Sequence, residues 1–135
     1  MSSSRVSTGI TWSSSSSVTV SSSTPVTSDA FSLNVEDWEC DLWVKADNQG
    51  TPAAGDVCDV YIAYAADGSN YDTTEHAFFL FRLDTVAANT PGEDPAMASV
   101  PIRTASPSFK IIVSCPQSAS RNMVVTAGVG THRPQ

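Results

Sequence analysis

The sequence predicts an all-β protein: an antiparallel β-sandwich, jelly-roll-like or immunoglobulin-like, carrying an extended Ser-rich N-terminal arm. Three observations carry this prediction. From Ala30 onward apolar residues alternate with polar ones, the pattern of strands buried on one side. Clusters of Asp, Asn, Gly and Pro separate the alternating runs at the short spacing of sandwich turns. No stretch has the periodicity of an amphipathic helix; the helical content expected is one turn around Thr73 to His76.

The first element is the leader, residues 1–29, where Ser2 to Ser4, Ser13 to Ser17 and Ser21 to Ser23 surround Ile10, Trp12, Val18, Val20 and Val26. Serine runs bury too little to offset chain entropy, which favours a linker. Thr11, Val18, Thr19 and Val20 oppose that by favouring extended backbone, and Trp12 is costly to leave in water. An arm docked on a neighbouring subunit and a tight local hairpin are the two readings. As an arm, about 20 extended residues would reach ~65 Å.

The sandwich domain is expected over 30–130, with 131–135 as a C-terminal tail. Phe31, Leu33 and Val35 alternate; then Trp38, Cys40, Leu42 and Val44 share one face and Glu39, Asp41, Trp43 and Lys45 the other. After an Asp-, Gly- and Pro-rich loop, Val57 to Ala65 places Cys58, Val60, Ile62 and Tyr64 on one face. Asp67-Gly68-Ser69-Asn70 is a turn of the Asp-Gly type. Ala77 to Leu83 is nearly all apolar, hence a candidate central strand. Beyond a Pro- and Asp-rich loop, Ala98, Val100 and Ile102 alternate, and Pro101 suits only an edge or a bulge. Phe109 to Cys115 and Met123 to Val129 complete the set.

Composition excludes several function classes. The chain has 135 residues, 21 of them Ser and 13 Thr, with only 16% charged residues and a net charge of −7. Its seven Lys and Arg are scattered, which argues against nucleic acid as a partner. No apolar run is long enough to span a bilayer, so no membrane is expected. The opening Met1-Ser2-Ser3-Ser4-Arg5 has no apolar core of a secretory signal, so cytosolic synthesis is expected. Cys40, Cys58 and Cys115 lack Cys-x-x-Cys spacing; three small buried thiols are expected, with a disulfide between two of them as the alternative.

A search for chemistry yields no catalytic, cofactor-binding or metal-binding residue. His76 and His132 read as solvated, and no Gly-x-Ser-x-Gly elbow, His-Glu-x-x-His motif or phosphate loop is present. The oxygens of Asp67 to Asp72 resemble a calcium loop but lack the closing Glu, and turn formation explains them as well. An enzyme assembled from Asp59, Asp72 and His76 is the weakest reading. Aromatics on the outward face say more. Trp43 must point out if Leu42 and Val44 point in, and Tyr61 shares the outward face of Asp59. These two, with Trp12, Val18 and Val20 of the leader, form the candidate interface; cover by the leader is the competing account of Trp43. A sugar-stacking platform would use the same Trp and Tyr.

The stretch from Cys58 to Thr73, with its Ala-Ala-Asp-Gly-Ser-Asn-Tyr-Asp turn, resembles a segment of small virion proteins of tailed bacteriophages, where an aromatic-rich strand follows. Phe109 to Val113 and Val124 to Val129 resemble later strands of those proteins. The resemblance covers roughly 30–130 and implies a non-enzymatic capsid decoration or cement protein. Its expected partners are the major capsid protein or other virion subunits, its expected state a homo-oligomer, and its expected place the virion, after synthesis in the host cytoplasm. A tail or head-tail subunit and a carbohydrate- or receptor-binding module are the alternatives. An acidic surface suits dense display on a shell, where like charge opposes aggregation.

Overall fold

The structure, a computed structural model, describes residues 3–21, 24–32, 39–49, 56–65, 67–84, 96–102, 108–116 and 122–134. From the turn at Asp67 to Asn70 the chain runs back along itself as one long hairpin whose halves pair rung by rung. β6 (Val57–Tyr64) pairs with β7 (Phe78–Asp84), and β5 (Glu39–Asn48) with β8 (Ala96–Ile102). Further out, β9 (Ser108–Ser114) receives β3 (Val26–Thr27) and β4 (Phe31–Ser32). Last, β10 (Met123–Pro134) receives β1 (Ser3–Gly9) and β2 (Val18–Val20). The ribbon wraps on itself, so β10 also pairs with β5 and β9 with β6, every pair antiparallel.

Among the described residues this gives two five-stranded sheets, β1-β10-β5-β8 with β2 on β10, and β3-β9-β6-β7 with β4 on β9. With β1 and β2 taken as one edge and β3 and β4 as another, the wiring is that of a jelly roll. The two sandwich types expected from sequence are thereby resolved. At the hairpin tip, Gly68 adopts φ +84°, a conformation glycine enters without a Cβ clash. Asp67 fixes the same turn by accepting the N–H groups of Ser69 and Asn70 at 2.8 and 2.7 Å. The Asn70 and Ser69 N–H groups, with the Asn70 side chain, hold its carboxyl down at about 2.

The leader is not an arm. β1 follows β10 to Gly9↔Gly128, and Ile10 N–H then donates to the Ala127 carbonyl at 2.9 Å. The chain detours before β2 rejoins β10 at Val18↔Val125. Within the detour, Trp12 and Ser15 exchange both backbone hydrogen bonds at 2.8 Å, across Ser13 and Ser14 at φ 47° and 68°. Two successive positive φ values define a type I′ hairpin, whose twist matches the strands it joins. Asp29 pins this strained turn, accepting the N–H groups of Ser13 and Ser14 and the Thr11 hydroxyl at 3.2, 2.9 and 2.7 Å. The chain then crosses to the other sheet, where Val26 faces Val113 and the Ile111 N–H donates to Ser28 Oγ at 2.9 Å.

Residues expected to form an arm over 1–29 therefore supply one edge of each sheet, and β10 includes most of the tail expected over 131–135. The physical reason is economy of burial. An edge strand needs apolar groups on one face only, and Ile10, Trp12 and Val20 supply them to the core while Ser7, Ser13 to Ser17 and Ser21 face water. Of the two readings of the leader, the structure contains the local hairpin.

The core fills as the alternation predicts, with Leu42, Val44 and Ala46 of β5 and Val125, Ala127 and Val129 of β10 buried on one sheet. Val60 and Ile62 of β6 meet Phe109, Ile111 and Val113 of β9 on the other. Pro101 lies on an edge strand, β8, as its missing N–H requires. Ala77 to Leu83 differs from expectation: β7 is an edge strand, not a central one. Residues 74–76 make a turn, with His76 N–H donating to the Thr73 carbonyl at 2.9 Å. The expected alternation of Leu33 and Val35, and Trp38, lie outside the described residues.

The leader yields three predictions. Trp12→Ala empties a core site and should cost ~3–5 kcal/mol, read as a lower urea midpoint. Deletion of residues 1–24 should abolish cooperative unfolding; a truncated chain melting like the full one excludes the integral role. The third concerns Asp29, whose carboxyl lies below its ordinary value chiefly through the Ser14 N–H, then the Thr11 hydroxyl. A depressed carboxylate stabilises above its unfolded pKa of ~3.9, and that contribution fades as pH falls through the folded value. Asp29→Asn should thus lower Tm near neutrality, the gap to wild type closing in acid; a pH-independent gap contradicts the assignment.

Candidate functional site

The β7 edge carries the largest exposed apolar side chains among the described residues. Phe78 and Phe79 are 60% and 55% exposed. They stand next to each other in sequence yet serve opposite faces of the sheet. Register explains how: Phe79 faces the outward Tyr61, Phe78 faces the inward Ile62, and a bulge between Val60 and Tyr61 shifts the pairing so that Phe81 faces Val60. Tyr61 meets the Phe79 ring edge-on at 5.5 Å between centroids, and Tyr64 meets Phe78 at 6.0 Å. Two rings of β6 thus prop two rings of β7, leaving the outer phenyl surfaces in water.

One step along the same strands, Arg82 clamps Asp59 with Nε on Oδ1 at 2.6 Å and Nη2 on Oδ2 at 2.9 Å. The Asp59 side chain is 6% exposed and that of Arg82 57%. A bidentate fork of this kind fixes register and leaves no unpaired buried charge. The carboxylate also raises Arg82 further above its ordinary value, by hydrogen bonding first and charge second. The β7 edge is therefore half aromatic and half ionic, held to β6 at both halves. On the neighbouring edge, β8, Met97 is exposed as well.

The candidate interface residues divide. Trp12 and Val20 are buried in the chain's own core and Val18 packs against it, so none offers an open contact face. This corrects their placement at an interface, because a paired edge strand turns its apolar side inward. Trp43 does point outward, opposite buried Leu42 and Val44. Its ring lies over Gly128, where a Cβ would stand 2.3 Å from Cζ2, and its Nε1 donates to Ser7 Oγ at 3.4 Å. Lys45 Nζ stands 5.4 Å from the ring. The leader thus borders Trp43, and a glycine opposite makes room for it. Tyr61 alone belongs to the exposed aromatic group, through Phe79.

Phe78 and Phe79 escape the sequence reading because an all-apolar run signals burial, whereas edge position is set by topology. Arg82 within that run is the local sign that could have found the edge, since charges commonly guard one. Asp59, Asp72 and His76 do not converge. Asp72 accepts the Tyr64 N–H at 3.1 Å, five residues or ~16 Å along β6 from the Arg82-bound Asp59. In the calcium-like segment, Asp67 accepts the turn's own N–H groups, and Tyr71 hydrogen-bonds Ser108 under Lys110. Among the described residues no group of three or more His, Cys, Asp or Glu side chains gathers as a metal set would.

Comparison with protein-family models and with curated proteins finds no match. Among solved structures, the crystal structure of FlhE aligns over 99% of this chain and 97% of its own, at 12% identity and a TM-score of 0.41. A family GH115 4-O-methyl-α-glucuronidase, with specificity for decorated arabinogalactans, aligns over 93% of this chain and 16% of its own, at 10% identity and a TM-score of 0.43. Scores and identities this low carry no argument about what this chain does.

The Trp43–Gly128 contact yields a prediction. Gly128→Ala should displace the indole and cost ~1–3 kcal/mol, as overpacking does. In a Trp43→Ala background the same change should cost almost nothing. Equal costs in both backgrounds, read by urea denaturation, exclude the contact as the cause.

Proposed function

We propose that this chain is a non-enzymatic structural subunit that docks on a larger protein assembly through its β7 edge. The assembly we propose is a virus capsid, the chain acting as a decoration or cement protein in the manner its resemblance to phage virion proteins implies. The observation that carries the reading is the exposed pair Phe78 and Phe79, propped by Tyr61 and Tyr64. Desolvating roughly 200 Å² of phenyl surface contributes ~5 kcal/mol, enough for a hot spot within an interface of ~1,600 Å². The rings are already held by β6, so little side-chain freedom is lost on docking.

An attachment that relies on a rigid edge differs from one that relies on a reaching arm. The leader is used within the chain's own sheets, so contact must come from the sandwich surface itself. Repetition on a lattice then multiplies a modest affinity by avidity. A net charge of −7 opposes association between decorated particles. Jelly rolls serve in viral shells and in lectins alike, which supports the reading by analogy of fold only. The sugar-platform alternative needs open aromatic faces, and Trp43 is occupied by Gly128, Ser7 and Lys45.

The test uses virus particles purified on density gradients from the source culture. Immunogold labelling should place the chain on the outer shell, and added wild-type protein should co-sediment with particles stripped of it. The Phe78→Ser/Phe79→Ser double variant should keep its far-UV circular dichroism and thermal transition but bind at least tenfold more weakly. Undiminished binding by that variant removes the β7 edge from the mechanism. Absence of the chain from every particle fraction removes the capsid.

A further inference from the structure

We propose that Cys58 and Cys115 are a cross-strand dithiol that closes to an intramolecular disulfide, clamping β6 to β9, when the chain meets a disulfide oxidant. The ladder between these strands ends at Asp59↔Ser114, and its register carried one step further sets Cys58 opposite Cys115, just past the end of β9. Directly opposed residues of an antiparallel pair have Cα atoms ~4.5–5.5 Å apart, within the ~4.4–6.8 Å that a disulfide spans. Both thiols are buried, at 0% and 1% exposure, and share a hydrogen bond. Cys40 is separate: its thiol donates to the Ile102 carbonyl at 3.4 Å, at the far end of the sandwich. The alternative expected from sequence, a bridge between two of three cysteines, thus acquires a specific pair.

The same contact shifts the two thiols in opposite directions. The hydrogen bond to Cys115, then burial, holds Cys58 protonated, while that bond lowers Cys115 against the opposing effects of burial, Asp59 and Asp56. Cys115, just past the end of β9 and beside exposed Pro116, is the thiol that an oxidant reaches first. Its thiolate, formed by loss of one proton to solvent, attacks one sulfur of a disulfide such as oxidised glutathione and releases one glutathione thiolate. Cys58 then loses its proton and attacks the Cys115 sulfur of the mixed disulfide, releasing the second glutathione. Two thiols give up two protons and two electrons, and the oxidant's S–S bond takes up the electrons. Cys115 follows Ser114, the last residue of β9, and precedes exposed Pro116, so fraying of this strand end, or folding itself, gives the oxidant access. In a reducing cytosol the pair remains a dithiol.

Full-length protein is unfolded in urea and refolded by dilution into buffers of reduced or oxidised glutathione, so that burial cannot block the reaction. After the oxidising arm, thiol titration in denaturant should fall from three groups to one, with intact mass lower by about 2 Da. Peptide mapping should join the Cys58 and Cys115 peptides. Tm should rise by on the order of 10 °C over the reduced form. Cys40→Ser should retain the bridge, and Cys58→Ala or Cys115→Ala should abolish it. Three free thiols at equilibrium, glutathione adducts without closure, or a bridge to Cys40 overturns the proposal. Mapping wild-type protein decides the matter even where a variant fails to fold.

Discussion

The two ends of the chain hold each other. Ser3 to Gly9 of β1 pair with Gly128 to Pro134 of β10, the outermost rung of a ribbon whose tip is the Asp67–Asn70 turn. In a jelly roll every inner rung lies under this one. Without it β10 loses a neighbour along half its length, and the core residues beneath, Val129 and Ala127 among them, face an open edge. The pairing joins residues more than a hundred positions apart, so its loop-closure entropy is met only when the inner rungs have already shortened the loop. Such a fold is expected to form slowly and from the middle outward. Its serine-rich leader is the closing element.

That closure is asymmetric. The leader lies along β10 in one sheet and β9 in the other, covering both edges on one side of the sandwich. The opposite side ends in β8 and β7, which lie beside each other with no further strand among the described residues. β8 is guarded by Pro101, which cannot donate to an incoming strand. β7 is guarded over half its length, by Arg82 and by a bulge that breaks the flat register. Its other half presents Phe78 and Phe79. An unprotected aromatic edge beside a protected one is the asymmetry on which the docking proposal rests.

Local features of this architecture were legible in the sequence, and non-local ones were not. Parity alone placed Leu42 and Val44 inside and Trp43 outside, because side chains alternate along any strand. What lies above Trp43 is Gly128 and Ser7, which reach it only through the sheet order β1-β10-β5. The leader's composition hides its role: serines dominate it, while burial rests on Ile10, Trp12 and Val20. β7 was misjudged by the same logic in reverse, since apolar content says how much could be buried and not which strand ends the sheet. Tyr61 was visible as an outward ring, but its partner Phe79 depends on a bulge with no local signature.

β6 carries most of the remaining consequences. It lies between β9 and β7, so both of its edges are paired. On the β7 side Tyr61, Tyr64 and Asp59 hold Phe79, Phe78 and Arg82. Toward the end of β9, Cys58 meets Cys115. A covalent link there would tighten the strand that supports the aromatic edge without altering the edge itself. The proposed docking surface and the thiol pair are thus separable in chemistry but share one mechanical element. Rigidity gained on one side of β6 reduces the freedom that Phe78 and Phe79 would otherwise lose on binding.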